Sequence, residues 1–252
     1  MKILSVVNQK GGVGKTTTSI NLSACLFKMK RKVLLVDLDP QSNATRGSGI
    51  EASTIQNSIN DVLLDRIDVG KAILKSQFDG YDILPATPSL TESEVALISR
   101  EGREFTLKNK LSPVISMYDY ILMDCPPSLN ILTVNSLVCA TGVLIPVQCE
   151  FYALQGLSEL INTITQIQNT SNEQLKIEGI LRTMFDSRNN LSIDVSDQLK
   201  EHFPSELYKT KIPRNIRVAE APSFGKSILE YDGLSKGSLS YYSLSGEIIK
   251  DE

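Results

Sequence analysis

Residues 8 to 18 read Asn8-Gln9-Lys10-Gly11-Gly12-Val13-Gly14-Lys15-Thr16-Thr17-Thr18, and this stretch decides the fold. The apolar run before it, Ile3-Leu4-Ser5-Val6-Val7, has the composition of a buried strand. The run after it, Ser19-Ile20-Asn21-Leu22-Ser23-Ala24-Cys25-Leu26-Phe27, reads as a helix. A strand, a glycine-rich turn and a helix are the setting a phosphate-binding loop requires. Glycines let successive backbone N–H groups turn inward, and the helix N-terminus adds partial positive charge. The expected cradle comprises Lys10, Gly11, Gly12, Val13, Gly14, Lys15, Thr16 and Thr17. Within it Lys15 reaches the β- and γ-phosphates and the Thr16 hydroxyl ligates Mg²⁺.

One position departs from the usual pattern. Gln9 stands where the first glycine belongs, and Lys10 adds a second lysine at the start of the loop. Lys10 is either a solvated surface charge or a group that reaches phosphates held by a facing subunit.

The 252-residue length fits one α/β domain spanning 1–252, with enough chain to bury a substantial core. A net charge of −3 argues against a uniformly basic nucleic-acid binder but leaves room for a local patch. No run of eighteen apolar residues occurs, so no membrane span is expected. The first strand begins at once, so no signal peptide is expected and a cytoplasmic location follows. Cys25, Cys125, Cys139 and Cys149 are scattered and read as small buried hydrophobes. His202 is the single histidine, which removes histidine-based triads and most zinc chemistry.

Apolar runs and helical stretches alternate, which argues for a largely parallel sheet covered on both faces; together with the phosphate loop this gives a three-layer P-loop NTPase-type α/β fold as the expectation. Its twisted, mostly parallel sheet should have seven to eight strands with helices on both faces. Strands are expected at Lys2–Val7, Lys32–Asp37, Tyr81–Pro85, Tyr120–Asp124, Gly142–Val147, Lys176–Thr183 and Tyr208–Ile212. Helices are expected after the loop and over Ser58–Asp65, Thr91–Ile98, Glu104–Ser116, Ile131–Cys139, Leu154–Asn169, Ile193–His202 and Lys236–Ile249. Ser89-x-x-Glu92 and Thr91-x-x-Glu94 each offer a capping box.

Open parallel sheets bind ligands at the carboxyl ends of their strands, and two acidic motifs sit there. In Val36-Asp37-Leu38-Asp39-Pro40-Gln41, Asp39 is placed to orient a water or lie near Mg²⁺. Asp37 could support the metal from behind, or both carboxylates could cap the next turn. In Tyr120-Ile121-Leu122-Met123-Asp124-Cys125-Pro126-Pro127-Ser128, an apolar strand ends in the carboxylate of a Walker-B arrangement, which holds Mg²⁺ directly or through water.

Taken together, these motifs resemble the ParA/Soj family of DNA-partitioning ATPases, with a deviant Walker-A loop. The resemblance continues through Pro146-Val147-Gln148-Cys149-Glu150-Phe151-Tyr152-Ala153-Leu154-Gln155-Gly156 and Thr183-Met184-Phe185-Asp186-Ser187-Arg188. It extends to Ile212-Pro213-Arg214-Asn215-Ile216-Arg217-Val218-Ala219-Glu220-Ala221-Pro222-Ser223, Tyr231-Asp232 and Ser235-Lys236-Gly237. It implies a Mg²⁺-dependent ATPase that dimerises around two ATP molecules, with Lys10 crossing to the partner's phosphates. Lys15 acts in its own chain, Thr16, Asp39 and Asp124 serve the metal and hydrolysis, and Pro213 and Asn215 pack around the adenine. Hydrolysis in such proteins is slow until a ParB/Spo0J-type partner stimulates it, and the ATP dimer associates with the nucleoid.

Between Lys209 and Lys226 lie Lys209, Lys211, Arg214, Arg217 and Lys226 against only Glu220. Such a patch is either solvated loop charge or, doubled by dimerisation, a surface that binds DNA phosphates without sequence preference and with strong salt dependence, and the resemblance favours the second. Arg188 and Arg217 lead the expected DNA contacts, followed by Arg182 and Arg214. No helix-turn-helix extension precedes the loop, so base reading is not expected. A MinD-type ATPase shares the first three motifs but needs a basic amphipathic C-terminal helix, whereas this sequence ends Lys250-Asp251-Glu252. A bacterial tyrosine kinase needs a terminal tyrosine cluster, for which Tyr241-Tyr242 is the sole candidate.

Overall fold

The computed structural model describes residues 1–250. Its eight strands are β1 (Lys2–Val6), β2 (Val33–Asp37), β3 (Leu74–Lys75), β4 (Asp82–Leu84), β5 (Tyr120–Asp124), β6 (Gly142–Gln148), β7 (Lys176–Phe185) and β8 (Leu207–Pro213). They form one sheet in the order β3-β4-β2-β5-β1-β6-β7-β8. All pairings are parallel except β3 against β4. This is the mostly parallel α/β sheet that the alternation of elements predicts, with the strand number expected of the P-loop NTPase-type fold.

Side chains on each strand alternate between two apolar layers, as the two-residue period of a strand requires. Ile3, Leu34, Val36, Ile121, Met123, Val143, Ile145 and Ile180 face one core. Leu4, Val6, Val33, Leu35, Tyr120, Leu122, Leu144 and Leu181 face the other. The helix Lys15–Lys28 and the helix Lys236–Lys250 cover the second face, contributing Ile20, Leu22, Leu26, Tyr241 and Leu244. The helices Ile131–Cys139, Ala153–Thr170 and Asn190–His202 cover the first.

After β1 the chain moves to one side of the sheet, and after β5 it crosses to β6 on the other. The reversal leaves a crevice at the carboxyl ends of β1 and its neighbours, which is where doubly wound sheets take ligands.

Several expectations are corrected. The helix forecast over 104–116 is broken: a 3₁₀ turn Arg103–Phe105 leads into Thr106–Leu111, and another 3₁₀ turn covers Ile115–Met117. Pro113 has no N–H to donate and displaces the preceding turn, which ends the α-helix. Neither forecast capping box forms on the helix Leu90–Ile98. The Ser89 hydroxyl pairs with Thr87 at 2.6 Å, and Glu92 pairs with Arg66 at 2.5 Å. The box forms instead at Ser58 and Asp61, on the short helix Ile59–Leu63. The edge strand β3 and the short helices Asn43–Gly47, Val69–Ala72, Ile216–Glu220 and Ile228–Tyr231 were not anticipated.

Candidate functional site

The loop between β1 and the helix Lys15–Lys28 is fixed by backbone conformation first. Gly12 and Gly14 have φ of 75° and 88°, a left-handed region that side chains strongly disfavour. A Cβ added at Gly11 or Gly12 would meet no protein atom within 4 Å, so the loop opens onto free space. Two side chains brace it from behind. Thr183 Oγ1 donates to the Val13 carbonyl at 2.7 Å, and Asn8 Nδ2 donates to the Pro146 carbonyl at 2.8 Å. The Lys15 ammonium donates to the Lys10 carbonyl at 3.1 Å, so it already points along the inside of the loop. Lys15 is buried, which pushes its pKa below the ordinary lysine value, with the charge of Asp124 the chief opposing influence.

The two strand-ending carboxylates lie side by side, since Asp37 on β2 pairs in register with Asp124 on β5. Both have no exposed surface. Asp37 is fully occupied: Oδ2 accepts from the Thr45 N–H at 2.8 Å and the Thr45 hydroxyl at 2.7 Å, and Oδ1 accepts from the Asp39 N–H at 3.1 Å. Of the two roles left open for it, the observed bonds are those of a turn-capping carboxylate. Asp124 is different. Its Oδ1 accepts from the Ser19 hydroxyl at 2.9 Å, while Oδ2 is buried without a hydrogen-bond partner among the described residues. Burial, then the Asp37 charge, pushes the Asp124 pKa well up, and the Thr16 and Ser19 hydroxyls oppose the shift. An orphaned buried carboxylate oxygen beside a threonine hydroxyl at a phosphate loop is the donor set that Mg²⁺ takes, so these residues fit the metal.

Asp39 is nearly buried at the cleft wall, and its Oδ1 accepts from the Gln41 N–H at 2.9 Å. Its charge acts on both Lys15 and Asp124, so the structure gathers Lys15, Thr16, Asp39 and Asp124 at one place. The cleft above them measures about 660 Å³ and extends from Gly11, Lys15 and Thr16 to Pro213, Asn215 and Tyr241. Asn215 caps the helix Ile216–Glu220, accepting from the Arg217 N–H at 2.8 Å. Met184, also on the cleft wall, holds a left-handed backbone with φ of 48°. Tyr241 is buried with its hydroxyl 3.3 Å from Thr18 Oγ1, so this half of the tyrosine pair is inaccessible to phosphorylation.

Lys10 behaves unlike Lys15. Its carbonyl faces the loop interior, but its ammonium points outward and pairs with Glu150 at 2.5 Å. Glu150 follows β6, and no local signal linked it to Lys10.

The arginines divide. Arg188 and Arg217 are exposed, Arg188 bonded to Asp186 and Arg217 to Glu220. Arg214 is exposed at the mouth of the cleft. Arg182 corrects the sequence expectation. It is 5 % exposed, and its guanidinium donates to Ser196 Oγ at 3.0 Å and to the Tyr208 carbonyl at 2.5 Å beneath the helix Asn190–His202. Strand alternation turns it inward, on the same face as Ile180, so its guanidinium is not presented on the surface.

Among the described residues no helix is long and apolar enough to cross a membrane. An AAA domain family model matches residues 1–177. The chain is 49 % identical over 247 residues to the sporulation initiation inhibitor protein Soj of Bacillus subtilis, covering 98 % of each chain. It is 47 % identical to the chromosome partitioning protein ParA of Myxococcus xanthus, covering 99 % of this chain and 88 % of that one. A solved structure of cobyrinic acid a,c-diamide synthase from Mycobacterium smegmatis with bound ADP and magnesium superposes with a TM-score of 0.87. That protein is 34 % identical, and the match covers 99 % of this chain and 94 % of that one. The loop, the paired strand-end carboxylates and the full-length likeness to Soj and ParA agree, and the chain belongs to the ParA/Soj family of partitioning P-loop ATPases.

Proposed function

We propose that this chain is a DNA-segregation switch: ATP binding joins two copies face to face, the pair holds DNA without sequence preference, and hydrolysis releases it. The observation that carries the reading is the division of labour between the two loop lysines. Lys15 lines its own cleft, while the Lys10 ammonium lies outside that cleft and is directed at solvent and Glu150.

Nucleotide phosphates would lie along the N–H groups of Gly11 to Thr17, with Lys15 neutralising the β- and γ-phosphates. Mg²⁺ held by Thr16 and Asp124 would draw charge from the transferring phosphoryl group. Asp39 orients the attacking water, and Lys10 completes the facing chain's site. Pro213 and Asn215 wall the base. A site that needs a second chain is suited to timing rather than turnover, which fits slow hydrolysis accelerated by a ParB/Spo0J-type partner. Arg188, Arg217 and Arg214 would supply the DNA phosphate contacts, twice over in the dimer, and their salt dependence would follow counterion release.

The test is molecular mass and DNA retention measured with ATP, with ADP and without nucleotide. A dimer that holds DNA only with ATP is expected. Equal DNA binding in all three states contradicts the switch.

A further inference from the structure

We propose that Glu150 is a positioning residue that holds Lys10 in reserve and thereby sets the concentration at which ATP-loaded chains pair. The inference rests on Lys10 acting across the subunit interface and names what that lysine must leave to do so. The Lys10 ammonium has one bonded partner in the described structure, the Glu150 carboxylate at 2.5 Å. The two side chains are 40 % and 46 % exposed, so the pair sits on an open face and can be separated without unpacking the core. Phe151 and Tyr152, directly after Glu150, are 75 % and 68 % exposed, and none of the described residues covers this rim.

Both ends of the pair are anchored. The Lys10 N–H donates to Asn8 Oδ1 at 2.9 Å, which fixes where the side chain departs. Glu150 is held by its main chain, donating to the Gln148 carbonyl at 2.8 Å and accepting from the Ala153 N–H at 2.9 Å. The carboxylate is therefore presented to Lys10 by the turn that ends β6, not by a wandering side chain.

A lysine that bonds a partner's phosphate must give up Glu150, and a dimer must break two such pairs. A partly exposed ion pair shifts an equilibrium about two- to fivefold. Two of them raise the midpoint of ATP-driven pairing roughly 4- to 25-fold. Without a γ-phosphate to draw it, Lys10 stays on Glu150. Removing the carboxylate then changes nothing.

The experiment uses the full chain carrying Asp39→Ala to suppress hydrolysis, with and without Glu150→Gln, and measures the dimerisation midpoint by sedimentation with ATP and with ADP at low and high salt. Glu150→Gln is expected to lower the ATP midpoint 4- to 25-fold at low salt, with a smaller gain at high salt. No change is expected with ADP. Glu150→Asp keeps the charge but withdraws it by one methylene. It should give an intermediate midpoint, and it serves if the Gln variant does not fold. A raised or unchanged ATP midpoint, or an equal gain with ADP, overturns the proposal. If the Asp39→Ala parent stays monomeric with ATP, the cross-subunit role of Lys10 itself has failed, and the reserve role falls with it.

Discussion

Asp37 and Asp124 are the same residue type, at the ends of adjacent strands, paired in register and equally buried, yet they are bonded differently. Asp37 has three donors for its two oxygens, the Asp39 N–H from the turn that follows β2 and the N–H and hydroxyl of Thr45 from the helix Asn43–Gly47. Asp124 has one oxygen satisfied and one without a hydrogen-bond partner among the described residues. A buried carboxylate whose lone pairs are used is part of the scaffold, and one kept unsatisfied is held ready for a ligand. The two lysines of the loop repeat the lesson, one turned into the cleft and one turned out of it.

The comparison breaks most visibly in catalysis. Asp124→Asn is expected to lower ATP hydrolysis on the order of 10²–10³-fold while leaving the melting temperature unchanged or raised, because burial already penalises the ionised carboxylate and one of its oxygens has no hydrogen bond to lose. Asp37→Asn places an amide N–H₂ against hydrogen-bond donors, and loss of about 1–3 kcal/mol of stability is expected. In a chain of this size that is roughly 2–4 °C per kcal/mol, read by thermal unfolding with nucleotide affinity measured alongside. If Asp37→Asn abolishes hydrolysis at unchanged stability, the two roles have been assigned the wrong way round.

The same pair sets a pH dependence. An ordinary aspartate titrates near 3.8, while in the fold burial pushes both Asp124 and Asp37 well above that value. Between the ordinary value and the raised ones the folded chain binds more protons than the unfolded one, so stability falls as pH rises. Without nucleotide or Mg²⁺, the melting temperature should therefore drop from pH 5 to pH 8, and Asp124→Asn should flatten most of that slope. A melting temperature that rises over this range contradicts the assignment.

The smallest effects belong to the arginines. Arg188→Ala and Arg217→Ala should each weaken ATP-dependent DNA binding a few-fold and reduce the salt slope by about one. Arg182→Met should leave the salt slope alone and act through stability, since its guanidinium bonds Ser196 and strand carbonyls. Loss of salt dependence in Arg182→Met would place that side chain at the DNA after all.

Much of this was legible in the residues. The phosphate loop, the two strand-end aspartates and the helix Ile131–Cys139 all follow from local pattern. The burial of Arg182 is also carried by its own strand: it sits two residues after the buried Ile180, on the same face. The stop at Pro113 was likewise readable, whereas a two-residue edge strand such as β3 is too short to show a period. The pairing of Lys10 with Glu150 spans 140 positions and the Thr183 brace on Val13 spans 170. Such contacts come from the order of strands in the sheet, which no local window contains.

The most direct measurement is the molecular mass, with ATP and Mg²⁺, of the Asp39→Ala chain and of the Asp39→Ala/Lys10→Ala chain. The first should double in mass, and the second should remain a monomer while still binding nucleotide through Lys15. Doubling of both chains alike would contradict a lysine that works across the interface.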